Sequence, residues 1–571
     1  MKYMVQRGVL VLTALLCLTV GAAARECTDC RYERPEPTVV QLEAGVELLG
    51  QPGDPLDLGR KPEKPEEADF EAAWETFRDG VWSGWTGSED ERYIDISEYE
   101  LPWTEETREE THNWLDAAIN HAPDMFALEK WQYYTLTYGG EDSRVVLAGI
   151  RPIYREEFLD AEGALDSAKY EAAKEDYTDG IQDIVDQVDP NWCAEEQLLF
   201  VHDYLAVHFE YDMRVYDPEL AEFAIYDVYH FLQHGTGVCQ AYTMTYMAVL
   251  QELGFEVSYV ESDHLNHVWN LVKVGPNWYH VDVTWDDPTE DMLGFAQHRY
   301  FLLNDQYSWL RHKHDGVENT DTPGHRYDWV YGVKTACLDG RYNNAFWNDA
   351  ISPFVFEEET GLWYFVSSTG LRAWDVDAGT ISAPLDTFED IRLDVSGGYF
   401  ECPDEPGTAG LSLYDGKLFY NSRYTVRSYD LETGAAETLL TLDWAHVWEV
   451  PGGYNLSEKQ CMLSLRVDDG TLGYETYSFE TELQQYAELT VASRFIPVGD
   501  GVYSYCVEED TLELRVDHGK VLVVAYDGSG AMTDMMICEI SGTYDLPEGT
   551  VKLFAVDGET GWDPQCKDVA L

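Results

Sequence analysis

The chain has 571 residues, 107 Asp plus Glu against 37 Lys plus Arg, and a formal net charge of −70 at pH 7. That imbalance argues against nucleic acid and anionic membrane as partners and for a soluble, self-repelling surface. With 45% hydrophobic and 13% aromatic residues, the chain is equipped to fold, as several domains of about 150 residues each.

Residues 1–24 read as a secretory signal peptide, with Lys2 and Arg7 ahead of an apolar run from Gly8 to Val20 and Ala22-Ala23-Ala24 as the cleavage site. The run is too short to span a bilayer stably, and no other stretch is long and apolar enough. The expectation is a secreted protein, possible cell-surface association aside, and not an integral membrane protein after cleavage. Residues 25–70, with Pro35, Pro37, Pro52, Pro55, Pro62 and Pro65 among charges, read as a flexible tether. Eleven cysteines are spread thinly, so this is no disulfide scaffold. Cys27-x-x-Cys30 has no second pair nearby, which favours a short-loop disulfide or two thiols over a metal half-site.

Residues 71–190 read as an α/β support module. Thr111, Trp114, Leu115 and Ile119 give Glu106 to Ala122 a helical period, Trp131 to Thr137 and Ser143 to Ile150 suit strands, and Glu156 to Val188 suits one or two helices.

The core is placed at 191–330. Gly235, Thr236 and Gly237 form a turn that puts Cys239 in the first turn of a helix whose apolar face is Tyr242, Tyr246, Val249, Leu250 and Leu253, with Gly254 as its stop. A helix N-terminus favours thiolate. Two strands follow, Leu265 to Val274 and Asn277 to Trp285, joined at Gly275-Pro276 as a type II′ turn. That register sets Trp269 against Asp282 and His267 against Thr284. His267 and Asp282 then lie diagonally on one face, with Trp269, Trp278 and His280. Thiol, imidazole and carboxylate so arranged are what acyl transfer on a cysteine requires. The Cys239 backbone N–H is a natural oxyanion donor. Gln240, Tyr242 and Tyr229 are candidates for a second donor, and Trp269 and His280 for lining the cleft.

Other histidines read as ordinary positions. His202, Asp203 and His208 do not share a helix face, and His230 and His234 share one without a third ligand in sequence. His264, His267 and His280 as a zinc set is a weaker reading than the triad. His312 and His314, in an exposed-looking Arg-His-Lys-His run, have no assigned role. No metal or cofactor is expected.

The segments GVCQAY around Cys239, HVWNLV from His267 and NWYHVDVTWDDP through Asp282 resemble the transglutaminase-like superfamily, with its papain-like core. EEQLLFVHDYLAVHFEYD (195–212) resembles the helix before the core in bacterial members, and HRYFLLND (298–305) their closing strand. The resemblance covers residues 191–315 and implies an α+β fold with Cys239 as nucleophile, His267 as base and Asp282 as its orienter. It implies an exported bacterial enzyme acting on amide bonds of proteins or peptides, cell-wall peptides included, through a thioester, with hydrolysis or amine transfer to follow. The alternative is an inactive binding or scaffold protein on the same fold. Ala241 departs from the Gly of many bacterial members without removing a catalytic group.

Residues 331–515 read as a β-rich, propeller-like repeat domain, since similar strands follow Gly361, Gly416 and Gly470. Asp430 to Gly434 suits a hairpin turn, and Asp375 to Thr380 echoes it. No segment fits the D-x-D-x-D-G calcium loop. Residues 516–571 read as a small β-sandwich, and KVLVVAYDGSGAM and VKLFAVD resemble a C-terminal module of exported Gram-positive proteins.

Overall fold

The computed structural model describes residues 38–43, 67–87, 92–312, 337–556 and 569–570, with short breaks inside these ranges, of which 217–222 is the longest. The signal-peptide stretch, Cys27 and Cys30 lie outside the described residues. The first layer is a four-stranded sheet of β1 (Thr38–Glu43), β2 (Ile94–Asp95), β3 (Leu128–Tyr138) and β4 (Arg144–Tyr154), in the order β1-β3-β4-β2. β1 corrects the expectation of a tether through residue 70: Val39, Val40 and Leu42 pair in parallel with β3. The prolines flanking these strand-forming residues disguised them. Helices α1 (Glu67–Trp82) and α2 (Arg108–Asn120) cover the sheet over Phe77, Leu115, Ile119, Trp131 and Ile150.

The next helices build the core. α3 (Ser167–Val185) starts on Asp166, whose carboxylate accepts from the N–H of Ala168 and Lys169. α4 (Ala194–His208) is opened by Glu196, which accepts from the Cys193 N–H at 2.7 Å. After β5 (Glu210–Tyr211) comes α5 (Val228–His234), which ends on Gly235 at φ 72°. β6 (Thr236–Gly237) then pairs in parallel with β5, and α6 (Cys239–Glu252) begins two residues after Gly237. α6 packs against α3, α4 and α5 and is buried over nearly all its length.

A three-stranded antiparallel sheet of β7 (Val257–Ser262), β8 (His267–Val274) and β9 (Asn277–Val281) packs on α6. Gly275 takes φ 58°, as the tight turn requires, and the register runs from Val274↔Asn277 to Asn270↔Val281, the one read from the sequence. The ladder is shorter than expected. Asp282 leaves the strand, donates its N–H to the Tyr300 carbonyl at 3.1 Å and caps α7 (Val283–Asp286). Asp is a preferred cap because its side chain accepts from the next turn. The HRYFLLND segment is also not the expected strand. It makes one isolated bridge, His280↔Leu303, beside Leu302 at φ 54°, a backbone conformation that breaks an extended run. α8 (Asp305–Arg311) follows.

The downstream half is antiparallel sheet. Gly361, Gly416 and Gly470, at φ 66–73°, turn the first strand of three successive meanders into Leu362–Ser367, Lys417–Asn421 and Thr471–Ser478. The first meander is no separate domain. Trp347, Phe354, Trp363, Phe365 and Trp374 share one apolar cluster with α4 and α6, and Trp363 Nε1 donates to Glu196 Oε1 at 2.8 Å. The boundary expected near 330 therefore does not separate two cores. The C-terminal sandwich likewise starts earlier than 516. Three strands of its second sheet come from 496–516 and the fourth is Gly542–Asp545, and Tyr503, Leu512 and Leu514 share its core with Val521, Val523 and Leu553.

Gly237 has no room for a side chain: a Cβ would stand 2.5 Å from Phe231 Cδ2 and 2.7 Å from the Ala241 Cβ. Gly237→Ala is expected to lose about 1–3 kcal/mol, as overpacked sites do. Urea unfolding checks this, and an unchanged midpoint would show that α5 and α6 are free to part.

Candidate functional site

Cys239 is the first residue of α6 and is 1% exposed. Val238 before it brings no side-chain acceptor, so the first-turn amides of α6 are not capped by it. His267 opens β8 and is hydrogen-bonded to the Cys239 side chain. Its Nε2 donates to Asp282 Oδ2 at 2.6 Å, which leaves Nδ1 as the ring atom for the thiol. Asp282 Oδ1 accepts from the Trp285 N–H at 3.2 Å. The imidazole lies between two indoles, Trp269 at 5.4 Å and Trp285 at 5.3 Å, both within 28° of parallel. Cys239, His267 and Asp282 are thus brought together.

Burial works against charge on His267, but the Asp282 carboxylate and the Cys239 sulfur outweigh it and raise the imidazole to about 10. Burial also opposes ionisation of Asp282, and His267 and His312 together pull it below the ordinary carboxylate range. An aspartate ion and an imidazolium are the forms this geometry holds at neutral pH.

The other candidates fall in different places. Gln240 is half-buried beside Cys239. Tyr242 is fully buried and gives its hydroxyl to Asp287 Oδ2 at 2.5 Å, so it is committed away from an oxyanion. Tyr229 stacks on Phe126, meets Phe158 at a tilt and packs against the first-layer core. Trp269 Nε1 donates to His280 Nδ1 at 3.0 Å, and His280 Nε2 bonds to Asp305 Oδ1 at 3.0 Å. These two brace the sheet behind His267.

Sequence reasoning missed three features. His312 is 3% exposed, against the expected exposed run, and its Nε2 donates to Asp282 Oδ2 at 2.8 Å. His202 and Asp203 do meet, Nδ1 to Oδ1 at 2.8 Å, although they are successive on α4; His298 joins the same Oδ1 at 2.7 Å and Asp286 takes His202 Nε2 at 3.2 Å. Adjacent side chains on a helix diverge, but both of these bend towards 286–298, which the helical period does not reveal. Third, Tyr211, registered against Gly237, is raised by burial and by the nearby Cys239 sulfur, which places a neutral phenol near the nucleophile. It lies inside the 195–212 segment but carries no signal of its own.

Among the described residues, three His/Asp/Cys groups have donor atoms within 4.8 Å of one another: His202-Asp203-His298, His267-Asp282-His312 and His280-Asp305-Cys337. Their bonding suits protons better than a metal ion. The Trp269 indole only donates, so His280 Nδ1 must accept and its Nε2 carries the proton that Asp305 takes. In the second group the N···O separations are 2.6 and 2.8 Å, shorter than the roughly 3.3 Å across a tetrahedral zinc. In the first, both ring nitrogens of His202 are engaged by carboxylates.

Because the folded His267 value is raised from about 6.5 to about 10, its contribution to stability is complete below about pH 6.5 and is lost as the pH rises through about 10. His267→Gln should therefore lower the urea midpoint clearly at pH 6 and progressively less towards pH 10. A gap independent of pH would contradict the ion pair.

The model of the transglutaminase-like superfamily matches residues 182–283. The crystal structure of a TGase is similar at 11% identity and TM-score 0.18, over 27% of this chain and 51% of that one. A candidate cysteine protease from Cytophaga hutchinsonii is similar at 14% identity and TM-score 0.16, over 26% of this chain and 54% of that one. The extracellular domain of a hybrid two-component system from B. thetaiotaomicron is similar at 10% identity and TM-score 0.16, over 55% of this chain and 43% of that one. The chain thus spans about half the length of these structures. No curated protein matches it. Among the described residues no helix is long and apolar enough to cross a membrane. Residues 182–283 form a transglutaminase-like domain.

Proposed function

We propose that the protein is an exported cysteine enzyme that opens amide bonds of proteins or peptides, cell-wall peptides among them, through a thioester on Cys239. The observation that carries this is the chain of contacts from Cys239 to His267 to Asp282, the last at 2.6 Å, at the start of a buried helix. The 1–24 pattern supports export, and the net charge of −70 favours amine-bearing, cationic partners over polyanions.

In this reading the Cys239 thiolate attacks the amide carbon and a C–S bond forms. The developing oxyanion meets the Cys239 N–H at the helix start. The His267 imidazolium gives its proton to the leaving nitrogen, the C–N bond breaks, and an amine departs. Water or a second amine then attacks the thioester carbon and passes a proton to His267, and the thiolate leaves. Asp282 holds the ring through both halves.

One observation favours the alternative, an inactive binding protein: Cys239 and His267 are 1% and 4% exposed, which leaves little of either to an incoming acyl group.

The test uses the full chain with a glutamine-rich protein and a fluorescent primary amine. The enzyme reading expects ammonia release that Cys239→Ala abolishes. Label carried into the protein marks transfer, and ammonia without label marks hydrolysis. Turnover that survives Cys239→Ala would overturn the assignment, and no turnover in either chain would favour the binding protein.

A further inference from the structure

We propose that His312 is a positioning residue for the same site, a second imidazole that shares the orienting carboxylate with His267. The proposal rests on reading Cys239, His267 and Asp282 as catalytic. His312 is the C-cap of α8, 30 residues beyond Asp282, and is buried. Its Nε2 donates to Asp282 Oδ2 at 2.8 Å, the oxygen that takes His267 Nε2 at 2.6 Å. A carboxylate can only accept, so both rings point an N–H at one atom. The far side of the ring is fixed too: Nδ1 meets Ser308, whose carbonyl is at 2.8 Å and hydroxyl at 3.2 Å.

The ring faces are held as firmly. His312 stacks on Trp269 at 4.6 Å, packs on Trp285 at 4.7 Å and touches Tyr300 at 4.8 Å. Trp269 and Trp285 are the two indoles that enclose His267. One pair of tryptophans and one carboxylate oxygen therefore locate both imidazoles. His267 reaches the sulfur. His312 acts through Asp282: it keeps Oδ2 aimed along the line to His267, while Oδ1 is tied to the Trp285 N–H. Without it, the carboxylate would hold one charged bond fewer on Oδ2 and be fixed less firmly, and the angle of His267 to the thiol would be held less tightly.

The experiment is iodoacetamide labelling of Cys239 in the full chain, with the modified peptide identified by mass. His312→Phe keeps the stacking and removes the donor. His312→Gln places an amide N–H near the position of Nε2. The expected results are a fall of about tenfold for Phe, the scale of one charged hydrogen bond, and a Gln rate close to the original. Equal rates in Phe and the original chain would overturn the proposal. So would equal losses in Phe and Gln, which would make the residue a packing element. Should the Phe variant fail to fold, ring ¹⁵N signals in the unaltered chain decide. Alkylating Cys239 should move His312 as well as His267, and an unmoved His312 would overturn the proposal. Labelling needs no substrate, so absence of amide turnover would sink the enzyme reading and leave this one standing.

Discussion

One buried carboxylate organises the domain. Asp282 ends a strand, caps a helix and receives two imidazoles on a single oxygen, with its N–H bound to Tyr300. A charged carboxylate in a dry interior is costly unless its partners are in place. Here the partners come from β8, from α8 and from the turn of α7, so the ion is tolerated only when those pieces have assembled. The turn at Gly275 sets which residue reaches it, since a slip of one residue would send His267 to the other face of the sheet.

The site is braced well beyond its three central residues. Behind His267, Trp269 hands its indole N–H to His280, and His280 passes the contact to Asp305 at the start of α8. That helix returns His312 to Asp282. A second buried network, through His202, Asp203, Asp286 and His298, ties α4 to α7. The Phe354 N–H donates to Asp203 Oδ2 at 2.6 Å, which carries the network into the first β-meander. Burial lowers the charged form of His202, and its two carboxylate partners overcome that and raise it to about 9. The domain around Cys239 and the meander therefore share both an apolar cluster and a polar core.

What was legible in the sequence was local or periodic. The helix at Cys239 follows from glycines before an apolar stripe, and the hairpin register follows from Gly275-Pro276 between two alternating strands. The first places Cys239 at a helix start, and the second sets His267 diagonally to Asp282. What was not legible depends on chain returning from a distance. His312 reaches Asp282 after a helix and a turn, and nothing in Arg-His-Lys-His says that its first histidine is inside. β1 was hidden by prolines on either side, although its own residues favour a strand. The strand expected to run to Trp285 stops at Val281 because a capping aspartate serves the next turn better than another rung. The domain limits drawn at 330 and 516 followed changes in composition, whereas the cores follow aromatic and aliphatic faces that cross both limits.

The central claim is that Cys239 is an activated nucleophile, and the most direct test compares it with the chain's other cysteines. Cys193, Cys337 and Cys538 are free thiols of the same folded chain, and burial pushes all three up, away from thiolate. Limited labelling at neutral pH with a small alkylating agent, read peptide by peptide, should modify Cys239 first. It should lose that preference in His267→Ala. Labelling of Cys239 that is no faster than that of the others, or that is unchanged by His267→Ala, would contradict the account.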